Sequence, residues 1–158
     1  MHSRIIELGN APILPDDRMG ECSVPEWFYH SIADYTNAET DRDEDLKWFL
    51  EIVAHILDVA EDGESFTFKP NAKKKYFHRQ YYAFLDKARE LTGISIEAFC
   101  AETPYDIGMA MYKLNEAYQD KFSFYIYYQD KLKTLDEWIR ETDLSESFYF
   151  GGTLDYHF

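Results

Sequence analysis

Lys69, Lys73, Lys74, Lys75 and Arg79 fall within one short stretch that contains no acid, with His78 among them. Basic residues interleaved with aromatics can grip phosphate oxygens and stack on planar groups, so this pattern points to anion binding. On a helix Lys75, Arg79 and Tyr82 stand at i, i+4 and i+7, off the apolar stripe. Together with His78 they are the candidate binding residues. Two other roles compete. The cations can pair with the acidic run at 39–45 inside the fold, or form half of a self-complementary homodimer contact. A helix N-terminus disfavours lysine, and that local conflict calls for an acidic neighbour or an anionic ligand.

Other chemistry is less well supported. Asp41, Asp43 and Asp45 are spaced like the opening of a calcium loop. Leu46 stands where that loop needs glycine, and Ile52 where it needs a closing carboxylate, so no metal is expected. His2, His30, His55, His78 and His157 include no i, i+4 pair. His55 reads as a packed histidine at the edge of a helix. Cys100, flanked by Ile96, Ala98 and Phe99, reads as a buried thiol rather than an activated nucleophile. The chain has no phosphate-binding glycine loop, dinucleotide fingerprint or nucleophile elbow. No cofactor is expected, and no catalytic residue is identified.

The 158 residues are 46% hydrophobic and 18% aromatic, ample for one core, so a single domain over 1–158 is expected. No apolar run approaches the roughly 20 residues that cross a bilayer. The opening residues hold too short an apolar patch for a secretory signal, and Cys22 and Cys100 read as free thiols. A cytoplasmic location is expected. The net charge of −14 repels nucleic acid and anionic membranes and favours a basic protein partner. The basic stretch argues against a uniformly negative, DNA-like surface.

Several elements must position these groups. Residues 3–8 read as a strand, and 10–20 as a surface loop. Ser23 and Pro25 read as the start of a helix with Phe28, Ile32 and Tyr35 on one stripe. Leu46, Phe49, Leu50, Val53, Ile56, Leu57 and Ala60 predict a long helix closed by Asp62-Gly63. A strand follows at 64–69, then a helix capped at Asn71 with Phe77, Tyr81, Phe84, Leu85, Ala88 and Leu91 on its stripe. Ser95 is expected to cap a short helix. Thr103 and Pro104 are expected to open another, with Ile107, Ala110, Met111, Leu114 and Tyr118 inward. The stretch 122–128 is dense in aromatic residues and reads as the central strand. Thr134 and Glu137 form a capping-box pattern, and Gly151-Gly152 mark a hairpin or a bulged single strand.

The class is α+β, a mixed or antiparallel sheet of about four to five strands covered by amphipathic helices. Tyr76, Tyr82, Tyr112, Tyr127, Tyr149 and Tyr156 are candidates for exposure, and exposed aromatics are enriched at contact surfaces. The reading is a non-enzymatic binding or regulatory protein, acting through an acidic, tyrosine-rich surface on a protein partner, with homo-oligomers allowed. The alternative is a small enzyme or ligand-binding domain holding an anionic group near Lys75, His78 and Arg79.

Overall fold

The computed structural model describes residues 1–103 and 105–158. Strand β1 (His2–Gly9) is followed by two 3-10 turns, Pro15–Asp17 and Glu21–Ser23, and by helix α1 (Glu26–Ser31). Then come β2 (Tyr35–Asn37), α2 (Arg42–Val53), β3 (Leu57–Val59) and β4 (Ser65–Phe68). Helices α3 (Ala72–Thr92), α4 (Ile96–Phe99) and α5 (Tyr105–Tyr118) follow. The chain closes with β5 (Tyr125–Tyr128), β6 (Lys131–Thr134), α6 (Leu135–Glu141) and β7 (Ser147–His157). The class is α+β, with a seven-stranded sheet, two or three strands more than expected.

The backbone divides into a sheet unit, 1–73 with 122–158, and a helical unit, 74–121. In the sheet unit the order is β3-β4-β7-β1-β5-β6, with β2 also on β7. Among the described residues only β1 and β5 pair in parallel; the other pairs are antiparallel. The central strands are therefore β1 and β7, and β5 lies one place from the edge. Eleven residues let β7 serve β4 with its first third, β2 with its last, and β1 along most of its length.

Gly151 and Gly152 lie within β7 as a bulge, not a hairpin tip. Ile6 pairs with Thr153 but Leu8 pairs with Phe150, so two glycines oppose the single residue Glu7. The extra residue shifts the alternation of β7. Phe148 and Phe150 face one side, with Phe66, while Leu154 and Tyr156 face the other. On the second face Phe28 of α1 packs on Tyr125 and Tyr156 at ring separations of 4.9 and 5.2 Å. On the first, Phe49 of α2 and Trp138 of α6 meet Phe150 and Phe148. Burying each such ring contributes roughly 1.5–3 kcal/mol.

Several expected boundaries move. Helix α2 stops at Val53. Ile56 and Leu57 still reach the core, but Leu57 does so from β3, and Asp62-Gly63 tip the β3–β4 hairpin with Gly63 at φ 71. Ser23 caps nothing in α1: its hydroxyl accepts the Gly20 N–H, and Pro25 holds the cap position. Tyr35 lies in β2, beyond the end of α1. Asp41 caps α2 by accepting the N–H groups of Asp43 and Glu44, a role its sequence reading did not assign. Other signals hold. Ser95 caps α4, and the Thr134–Glu137 capping box opens α6. Pro104, read as the first turn of α5, lies outside the described residues.

The helical unit is an antiparallel hairpin. The Gln80 side chain donates to the Tyr118 carbonyl at 2.7 Å, and Phe84 meets the Tyr118 ring at 6.0 Å. Nearer the tip Leu91 and Ile94 share a groove with Ile107 and Met111.

Candidate binding surfaces

Helix α3 brings Lys75, His78, Arg79 and Tyr82 onto one exposed face, as their spacing requires. The His78 and Tyr82 rings meet edge to face at 5.0 Å. Within the helical unit no described residue forms an ion pair with Lys74, Lys75 or Arg79. The two lysines that fall in the sheet unit are used differently. Lys69 donates to the Ala54 carbonyl at 2.9 Å and lies 4.0 Å from Asp58. Lys73 donates to the Arg140 carbonyl at 2.7 Å, near the C-terminal end of α6 where the helix dipole favours a cation. Within that unit neither lysine pairs with the acidic run at 39–45.

That run serves the fold instead. Asp41 caps α2, and Asp45, almost fully buried, receives the Arg4 guanidinium. Arg4 also bridges to Asp155, whose other oxygen lies 2.8 Å from His2 Nδ1. The guanidinium lies over the Trp48 ring at 5.3 Å. One cation between two carboxylates offsets the cost of burying them. Among the described residues, no group of three His, Cys, Asp or Glu is placed to hold a metal ion.

A second buried acid sits on the sheet's other face. Glu7 accepts the Met19 N–H at 3.0 Å and the Gly152 N–H at 2.7 Å, tying the 10–24 loop to the β7 bulge. A side chain at Gly151 would collide with this carboxylate, so glycine is required there by close approach. Tyr127, the register partner of Glu7 on β5, has its hydroxyl pushed above the usual tyrosine range. Burial is the largest cause, followed by its hydrogen bond to Asp130 and the Glu7 charge.

Surface aromatics fall differently from expectation. Tyr82 and Tyr112 are exposed, but Tyr156 is fully buried and donates to the Ser123 carbonyl. The bulge turns it toward α1. Tyr76, Tyr127 and Tyr149 are half-buried. Other exposed tyrosines are Tyr35, Tyr81, Tyr105 and Tyr118, and among the described residues only Tyr35 of the exposed ones belongs to the sheet unit. Cys100, read as buried, is exposed and free, as is Cys22. Its neighbours Ile96 and Phe99 are 68% and 70% exposed because the four-residue α4 has no second layer over it within its unit. His55 lies past the end of α2 and is exposed.

Sequence reasoning missed the groove at the helical tip, lined by Leu91, Ile94, Ile96, Phe99, Ile107 and Met111, with a volume of about 510 Å³. Apolar periodicity assigned these side chains to a core. The available signal was charge: residues 90–112 include Glu90, Glu97, Glu102 and Asp106 but no Lys, Arg or His. Among the described residues no helix is long and apolar enough to cross a membrane. In comparisons with known proteins, no family model, curated protein or solved structure matches this chain.

Proposed function

We propose that this protein is a non-enzymatic binding or regulatory protein that engages a basic protein partner through its acidic sheet unit and its tyrosine-bearing helical unit. One observation carries the reading. The seven basic and seven acidic residues of 74–121 cancel, so the sheet unit carries the chain's entire −14. A field of one sign on a folded unit speeds and selects encounters with an oppositely charged surface. The exposed rings concentrate on the neutral helical unit, where aromatic anchors supply contact energy without repelling a partner. Free, exposed Cys22 and Cys100 suit a reducing compartment, consistent with action in the cytoplasm.

A second reading has its own support. Lys75, His78 and Arg79 share one open face and have no ion-pair partner among the described residues of their unit, an arrangement that suits an anionic ligand. Protection of the chain against heating by such a ligand, lost in Arg79→Ala, distinguishes it.

The test of the leading reading is capture on the immobilised chain at low salt, elution along a salt gradient and mass spectrometry. The comparison is a chain with Asp16, Asp17, Glu39 and Glu61 changed to Asn or Gln; these acids are exposed. A basic protein retained stoichiometrically by the native chain, released by moderate salt and lost from the variant supports the reading. Retention that ignores both salt and substitution contradicts it.

A further inference from the structure

The geometry points to the tip of the helical hairpin as a docking groove for a basic amphipathic helix of another protein. This inference rests on the partner reading above and assigns it a site. The groove is formed where the end of α3, the short α4 and the start of α5 meet, and its volume of about 510 Å³ accommodates several apolar side chains. Ile96, Phe99 and Met111 on its walls are 68%, 70% and 59% exposed. Exposed apolar residues grouped in a concavity mark an interaction site more than scattered ones do.

Charge selects the occupant. Four acids and no base lie in residues 90–112, interleaved with the groove's lining residues. Lys87 is engaged by Glu90 at 2.7 Å, which also lowers the Glu90 carboxyl below its usual range. Glu97, Glu102 and Asp106 have no such cation within the stretch. An anionic membrane is repelled by these groups, and so is an acidic peptide. A helix laid into a groove between helices presents anchors at i, i+3 or i+4, and i+7, with its flanking positions over the rim. Lysine or arginine at those flanking positions meets Glu97, Glu102 and Asp106. A second copy of this chain fits less well. Its cations at Lys75 and Arg79 lie on the face of α3 away from the apolar stripe, so they bring no aliphatic anchors with them.

The probe is a fluorescent amphipathic peptide of about 18 residues, leucine on one face and lysine on the other, titrated with the full chain by anisotropy. Saturable binding is expected, weakened about tenfold or more by Phe99→Asp and by Met111→Asp. Both residues are exposed, and unchanged circular dichroism and melting verify that the variants fold. Glu97→Lys combined with Asp106→Lys also weakens it, and the same peptide with glutamate in place of lysine does not bind. Equal binding of the two peptides overturns the charge assignment. Dimers in light scattering that Phe99→Asp dissolves overturn it in favour of a second copy. Lysine-peptide binding that survives Phe99→Asp but falls in the Asp16, Asp17, Glu39 and Glu61 variant overturns the groove and leaves the acidic-surface reading standing.

Discussion

Glu7 and Gly152 are joined across the β1–β7 pair by a hydrogen bond of 2.7 Å from the Gly152 N–H to the Glu7 carboxylate. A β-bulge leaves a backbone donor without a ladder partner, and a buried donor so orphaned costs about 1–3 kcal/mol. Here a carboxylate from the opposite strand satisfies it, and the same oxygen accepts from Met19.

Glu7→Ala is therefore expected to destabilise the chain by roughly 2–4 kcal/mol in urea unfolding, with the 10–24 loop released first. Gly151→Ala should cost a similar amount for a different reason, since the new Cβ meets the Glu7 side chain. Combining the two substitutions should cost less than the sum, because Glu7→Ala removes the obstacle that Gly151→Ala meets.

Arg4 holds Asp45 and Asp155 together, and its removal strands both acids. Arg4→Met should destabilise by about 3–5 kcal/mol at neutral pH. Adding Asp45→Asn and Asp155→Asn to Arg4→Met should restore part of the loss, a result that simple loss of packing by the arginine stem would not produce.

Tyr127 gives a pH signature. Its hydroxyl titrates above the usual tyrosine value of about 10 because burial, Asp130 and Glu7 all disfavour the phenolate. The folded state thus holds a proton that the unfolded chain releases. Its contribution to stability is complete below about pH 10 and is lost as pH rises through the folded value. Denaturation between pH 9 and 11.5 should show a decline in the native chain that is smaller in Tyr127→Phe, while the difference between them stays constant from pH 7 to 9, where the lost Asp130 hydrogen bond separates them.

The β5–β6 turn is strained. Gln129 and Asp130 adopt φ 50 and 58, the left-handed pair of a two-residue hairpin turn that favours Asn-Gly. Gln129→Gly should stabilise by roughly 0.5–1 kcal/mol in chemical denaturation, leaving the Asp130 contact with Tyr127 intact.

That turn also shows where the sequence was legible and where it was not. Caps at Ser95 and Thr134 were readable because each couples one side chain to a neighbouring amide a few positions away. Strand β6 was not, since Gln129-Asp130 lacks the usual hairpin residues. Strands β2 and β3 are three residues each, too short for alternation to register. Leu57 continued the helical stripe of α2 in sequence, yet a strand can deliver the same side chain to the same core. Tyr156 was misplaced because one bulged residue inverts the phase of everything after it. The face of Lys75, His78, Arg79 and Tyr82 followed directly from spacing. The tip groove did not, because an exposed apolar residue has the same sequence signature as a buried one.

The measurement that bears most directly on the binding reading is affinity for the captured basic partner as a function of salt, by titration calorimetry, for the native chain and the Asp16, Asp17, Glu39 and Glu61 variant. A steep fall in affinity with salt is expected for the native chain, and a weaker affinity with a shallower slope for the variant. Equal affinities with no salt dependence would contradict it.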